Sequence, residues 1–143
     1  MADKDAGEVP GARGRVLIVE DEEALARHLK IHLEREGFAV RMAHTGKAAL
    51  LLAAEHWPEI VILDLVLPDI SGYEVCRELR RAYHPWILPI LMLTALNTPT
   101  AQLRGFGHGA DAFLTKPVTS RELVRTVTTL LSHKVRGLGA ADG

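Results

Sequence analysis

Residues 60–76 read IVILDLVLPDISGYEVC: an apolar run that ends in a carboxylate, then a Pro-Asp turn, then a helical pattern. The run predicts a buried strand over 60–64, and the pattern after the turn a helix over 72–82. An aspartate closing such a strand is costly to bury unless something compensates its charge. The same unit recurs on either side. Strands are expected at 15–19, 38–42, 89–93 and 112–115. Helices are expected at 22–36, 46–55, 99–105 and from a capping Ser120 to about Leu131. Leu25, Leu29 and Leu33 form one stripe on the first helix, and Gly37 is placed to end it. Leu123, Val127, Leu130 and Leu131 form the inner face of the last. Strands alternating with helices five times imply βαβ units with right-handed crossovers around a parallel sheet. Residues 1–14 and 134–143 carry no periodicity and read as a disordered N-terminal tail and a C-terminal tail or the start of a linker.

The bulk composition narrows the function classes. With 143 residues, 48% hydrophobic and 24% charged, the chain suits one ordinary soluble domain. Seventeen Lys and Arg against eighteen Asp and Glu give a net charge of −1, without the basic excess of a chain held to nucleic acid through phosphates. A single cysteine, Cys76, rules out an internal disulfide framework and a zinc-finger pattern, and reads as a small core residue. No apolar stretch is long enough to span a membrane, and MADKDAGEVP has no apolar core of a secretory signal, so the cytosol is the expected location.

In a parallel sheet the C-terminal strand ends share one edge, and open α/β sheets bind ligands there, at the point where strand order reverses. If the first and third strands flank that point, Glu20, Asp21 and Asp64 converge. Three carboxylates cannot all stay ionised together unless a cation joins them, and an all-oxygen set suits a hard ion such as Mg²⁺. The fourth strand ends in LMLT and the fifth in FLTKP, which brings Thr94 and Lys116 to the same edge, with Pro117 fixing the turn. A carboxylate, a dication, a hydroxyl and an ammonium together make a receptacle for a phosphoryl group, with Asp64 as nucleophile.

Read in order, RVLIVEDEEAL, VILDLVLPDISGYEV, LMLTA and GADAFLTKP resemble the receiver domain of two-component response regulators, over roughly residues 13–133. The resemblance implies the flavodoxin-like (βα)5 fold, a doubly wound five-stranded sheet of order 2-1-3-4-5. It implies that Asp64 accepts a phosphoryl group from a phosphohistidine of a histidine kinase or histidine phosphotransfer protein. It implies too that the domain itself catalyses this phosphorylation and the later dephosphorylation. It further implies Mg²⁺ held by Asp21, Asp64 and the backbone carbonyl of Val66, with Glu20 acting through water. On the same resemblance Thr94, Phe113 and Pro117 are expected to be the switch residues, Lys116–Pro117 a cis peptide, and the face of helix four, strand five and helix five the surface a downstream protein reads. Phe113 stands where the family often has Tyr, which keeps the ring and loses the hydroxyl.

Other readings compete. A haloacid dehalogenase-type phosphatase also uses a strand-end Asp, but needs a second acid two residues later, where this chain has Val66. A phosphorylation-independent interaction module predicts a damaged pocket, yet every pocket residue is present. Both a stand-alone receiver and a piece of a longer regulator fit the sequence. The dimer typical of winged-helix regulators is disfavoured, because Ala112 and Thr126 occupy its charged positions. Arg77, Arg80 and Arg81 read as a solvent-facing basic patch, and His28 and His32 as a solvated helix face rather than a metal pair. The apolar Val66 and Leu96 stand two residues after Asp64 and Thr94, where neither can orient a water for hydrolysis.

Overall fold

A computed structural model describes residues 12–83 and 87–142. Its elements run β1 (Arg15–Val19), α1 (Glu23–Arg35), β2 (Ala39–Ala43), α2 (Gly46–His56), β3 (Ile60–Leu63), α3 (Gly72–Ala82), β4 (Ile90–Thr94), α4 (Pro99–Gly107), β5 (Ala112–Thr115) and α5 (Ser120–Asp142). All four strand pairings are parallel and the order is β2-β1-β3-β4-β5, as expected. The sequence direction of the sheet reverses between β1 and β3.

The strands are apolar on both faces because helices cover both. Leu17, Val19, Val61, Leu63, Ile90 and Met92 pack toward α2, α3 and α4, while Val16, Ile18, Ile60, Ile62, Leu91 and Leu93 pack toward α1 and α5. Each such side chain, taken fully out of water, contributes about 1.5–3 kcal/mol relative to exposure. Leu29 and Leu33 of the α1 stripe and Leu123 and Val127 of α5 meet in the second core. Gly37 does end α1: its φ is +95°, its N–H donates to the Glu34 carbonyl and Phe38 N–H donates to Leu33, the paired bonds of a Schellman motif.

Several boundaries differ from the sequence expectation. Asp64 lies just past β3, and β4 runs one residue later because Pro89 precedes it rather than opening it. The cap of α5 is Thr119, whose hydroxyl accepts from Glu122 N–H, so Ser120 is already helical. That helix continues to Asp142, well beyond Leu131, and Gly137 and Gly139 do not break it. Most of the expected N-terminal tail, residues 1–11, lies outside the described residues. Arg13 and Gly14 are not tail: Arg13 N–H donates to the Gly37 carbonyl, its guanidinium lies 4.6 Å from the Phe38 ring centre, and the Gly14 carbonyl accepts from Ala39.

The basic patch also needs correction. Arg77 and Arg81 are exposed, but the Arg80 side chain is only 12% exposed. It donates to the Gly109 and Leu88 carbonyls and, at 2.7 Å, to Asp111, tying α3 to the turns that lead into β4 and β5. Asp111 in turn accepts from Ile90 N–H at 2.8 Å. Cys76 is fully buried, and burial pushes its thiol up to about 11.

Candidate functional site

The strand ladders extend one bond past each strand and so fix the residues that follow. Glu20 N–H donates to the Ala43 carbonyl at 3.0 Å, Asp64 N–H to Val19 at 3.0 Å and Lys116 N–H to Thr94 at 2.9 Å. Glu20 and Asp64 therefore leave the adjacent strands β1 and β3 at one level, on either side of the reversal, and Lys116 leaves β5 two residues further along the same edge.

The side chains converge as the sequence implied. Carboxylate oxygens of Glu20, Asp21 and Asp64 lie within 4.8 Å of one another. Asp21 is exposed, whereas Glu20 and Asp64 are 3% and 6% exposed. Lys116 Nζ spans the two buried members, 2.6 Å from Glu20 Oε1 and 2.7 Å from Asp64 Oδ2. The remaining oxygens are also held: Glu20 Oε2 accepts from Glu22 N–H at 3.1 Å and Asp64 Oδ1 from Val66 N–H at 3.2 Å. Burial lifts the Glu20 carboxyl above its ordinary range, against the bonds from Lys116 and Glu22. Burial also opposes the charge of Lys116, but its bonds to Asp64 and Glu20 prevail and raise its pKa. Both directions follow from two carboxylates sharing one ammonium in a half-dry pocket.

Thr94 is fully buried and its hydroxyl accepts from Leu96 N–H at 3.3 Å. The Lys116–Pro117 peptide is cis. Phe113, partly buried, sits with its ring by Gly105 of α4, where a Cβ would come within 3.3 Å of it, and 6.4 Å from the Phe106 ring. Val66 and Leu96 are 57% and 43% exposed. An oxygen-only cluster of this kind fits a hard divalent cation, and the residues present supply its donors. His28 and His32 have ring centres 4.4 Å apart and, among the described residues, belong to no cluster of three metal-binding groups.

Sequence reasoning missed two groups at the margin of the site. Asp69, in the turn between β3 and α3, accepts from Gly46 and Lys47 N–H at 2.8 Å each. The bond from Lys47 above all holds its carboxyl down to about 2. His44 Nδ1 lies 2.9 Å from the Glu20 carbonyl; a carbonyl only accepts, so that nitrogen carries the proton. No local sequence pattern announces either bond, since each joins segments more than twenty residues apart.

Residues 16–128 match the family model of the response regulator receiver domain. Among solved structures, a putative response regulator from Chloroflexus aurantiacus J-10-fl is 38% identical, with a TM-score of 0.75, and the match covers 82% of this chain and 96% of that one. A CheY-like response regulator receiver domain protein from Methanospirillum hungatei JF-1 is 27% identical, with a TM-score of 0.81 and coverage of 85% and 96%. The signal receiver domain of a putative Luxo repressor protein from Vibrio parahaemolyticus is 29% identical, with a TM-score of 0.82 and coverage of 92% and 98%.

Proposed function

The chain belongs to the response regulator receiver domain family, and from that premise we propose that Asp64 accepts a phosphoryl group from a phosphohistidine of a histidine kinase or histidine phosphotransfer protein. The observation that carries this reading is the placement of Asp64 between Lys116, at 2.7 Å, and the acidic pair Glu20 and Asp21. A haloacid dehalogenase-type reaction has no support, because the exposed side chain at Val66 offers no proton.

Asp21, Asp64 and the Val66 carbonyl would hold Mg²⁺, with Glu20 acting through water. When bound, the ion supplies charge neutralisation for the phosphoryl oxygens. An Asp64 carboxylate oxygen forms the new O–P bond as the P–N bond to the donor imidazole breaks, and the imidazole leaves neutral with its other nitrogen protonated. Lys116 exchanges a carboxylate for a phosphoryl oxygen, so its ammonium follows the charge. The Thr94 hydroxyl turns from Leu96 N–H to donate to the same group, and the space it leaves takes the Phe113 ring. That ring abuts α4, so the change reaches the face of α4, β5 and α5, where Leu103 and Phe106 are 73% and 47% exposed. A downstream protein reads that face, the charge at one pocket having biased a two-state element.

Incubation with acetyl phosphate and Mg²⁺, followed by intact mass, tests the reading. The parent chain should gain about 80 Da, one phosphoryl group, and Asp64→Ala should gain nothing. A folded parent that gains no mass would overturn phosphotransfer and leave an interaction module.

The rim residues bear on how long the acyl phosphate lasts. Exposed and apolar, Val66 and Leu96 cannot orient an attacking water. A Val66→Asn, Leu96→Glu double variant should therefore lose its phosphoryl group about tenfold faster, below the ~10²–10⁴-fold that a well-placed proton acceptor provides. The decay of the mass increment after acetyl phosphate is removed measures this, and an unchanged half-life would defeat it.

A further inference from the structure

We infer that residues 44–47, the β2–α2 turn with the first two residues of α2, form a brace that helps set the spacing between the acidic pair and the acceptor, and that His44 and Asp69 are positioning residues for divalent-cation binding. The inference rests on the functional reading above and extends it to residues outside the pocket.

The turn is gripped from both sides. Toward β1, Glu20 N–H donates to the Ala43 carbonyl, and the Nδ1–H of His44 donates back to the Glu20 carbonyl at 2.9 Å. These two bonds run in opposite directions between Glu20 and the adjacent residues Ala43 and His44, so both resist displacement of the backbone that carries Glu20 and Asp21 relative to β2. Toward β3, the Asp69 carboxylate takes the first two N–H groups of α2, from Gly46 and Lys47, while Thr45 Oγ1 takes the third, from Ala48. A carboxylate at a helix N-terminus also meets the positive end of the helix dipole. With its pKa held down to about 2, Asp69 stays charged at any ordinary pH.

Asp69 sits in the loop that carries the acceptor. That loop leaves β3 at Asp64, passes the Val66 carbonyl and closes where Gly72 N–H donates to the Leu65 carbonyl at 2.9 Å. Between those ends it is attached to α2 through the Asp69 carboxylate and through Ile70, among other contacts, and Ile70 packs so close to Gly46 that a Cβ there would lie 2.5 Å from Ile70 Cγ1. One four-residue segment thus holds both loops that would supply a cation's oxygens. Asp69 is not itself among the clustered carboxylates, so its effect must pass through the backbone. A cation that demands a near-ideal arrangement of oxygens, as Mg²⁺ does, is sensitive to such spacing.

Backbone amide NMR titrations with MgCl₂ on the unphosphorylated chain test the brace without any readout of phosphotransfer. Asp69→Asn turns one acceptor oxygen into an N–H₂ facing another N–H, and His44→Ala loosens the opposite side of the turn. Each should raise the Mg²⁺ dissociation constant about tenfold, the low end of what residues behind metal ligands contribute. Tyr83→Phe serves as control: it deletes a 2.9 Å bond from the Tyr83 hydroxyl to the Ala53 carbonyl, remote from the pocket, and should leave the constant unchanged. Acetyl phosphate labelling of the two brace variants should be slow at limiting Mg²⁺ and return to the parent rate at saturation. A parental dissociation constant in both variants, whatever their melting temperatures, would overturn the brace while leaving the functional reading intact. A parent chain that binds no Mg²⁺ would overturn that reading first and the brace with it.

Discussion

Lys116→Met should lower the unfolding free energy by about 3 kcal/mol in metal-free buffer, and millimolar MgCl₂ should restore much of the loss. Removing one partner from a buried ion pair costs roughly 3–5 kcal/mol, because the other charge stays behind unpaired. The low end applies because the Lys116 side chain is 20% exposed, although its partners on Glu20 and Asp64 are only 4% and 7% exposed. Methionine keeps most of the volume and none of the charge, which leaves two carboxylates facing each other. The pH dependence follows from the directions of the shifts. Lys116 titrates above its ordinary 10.5 in the folded chain, so its contribution is complete below 10.5 and fades as pH rises through the folded value. The parent should lose stability over that alkaline range, and the variant should lack that step. Burial holds the Glu20 pKa above its ordinary 4.5, so its ionisation opposes folding as pH rises through the elevated value, and over a wider pH range once the ammonium is gone. A dication among the same oxygens replaces the missing charge and stabilises the fold by about 2.7 kcal/mol at a hundredfold excess over its dissociation constant. Urea denaturation of both chains, with and without MgCl₂, gives the four free energies. Equal metal-free stabilities would mean that the carboxylates do not rely on the ammonium.

The sheet and the pocket were legible in the sequence because both rest on short-range signals. A strand buried on both faces reads as an unbroken apolar run, and a charge at its end, as at Asp64 and Lys116, stands out against that run. Parallel topology then carries those ends to one edge without any knowledge of side-chain contacts. What stayed hidden depends on partners far along the chain. Arg80 sits on a helix beside two exposed arginines, and only the fold reveals that Gly109, Asp111 and Leu88 surround it. Asp69 reads locally as an ordinary turn residue after Pro68, and its role as the N-terminal partner of α2 exists only once two turns meet. The end of α5 failed for a different reason. Glycines near a helix end weaken it by about 1 kcal/mol each relative to alanine, a preference rather than a stop.

Gly72→Ala should destabilise the chain by at least about 3 kcal/mol and abolish phosphoryl acceptance, against the sign that helix propensity alone gives. Gly72 opens α3, where an exposed site would gain about 1 kcal/mol from alanine. Here a Cβ would lie 2.2 Å from the Asp64 carbonyl oxygen, 2.7 Å from Leu65 Cα and 2.9 Å from the Asp64 carbonyl carbon. All three are backbone atoms, so no rotamer change relieves the contact. Overpacking a filled interior costs about 1–3 kcal/mol where side chains can yield, and more where only backbone can. The yielding element is either α3, which would lose the bond from Gly72 N–H to Leu65, or the acceptor loop itself, which would carry Asp64 away from Lys116. Gly107→Ala gives the contrast within the same fold, since a Cβ there meets nothing within 4 Å and the substitution should be neutral or mildly stabilising. Denaturation midpoints for the pair separate the two physical effects. If Gly72→Ala proved as stable as Gly107→Ala and still accepted phosphate, the close approach of α3 to the acceptor would not be what holds Asp64 in place.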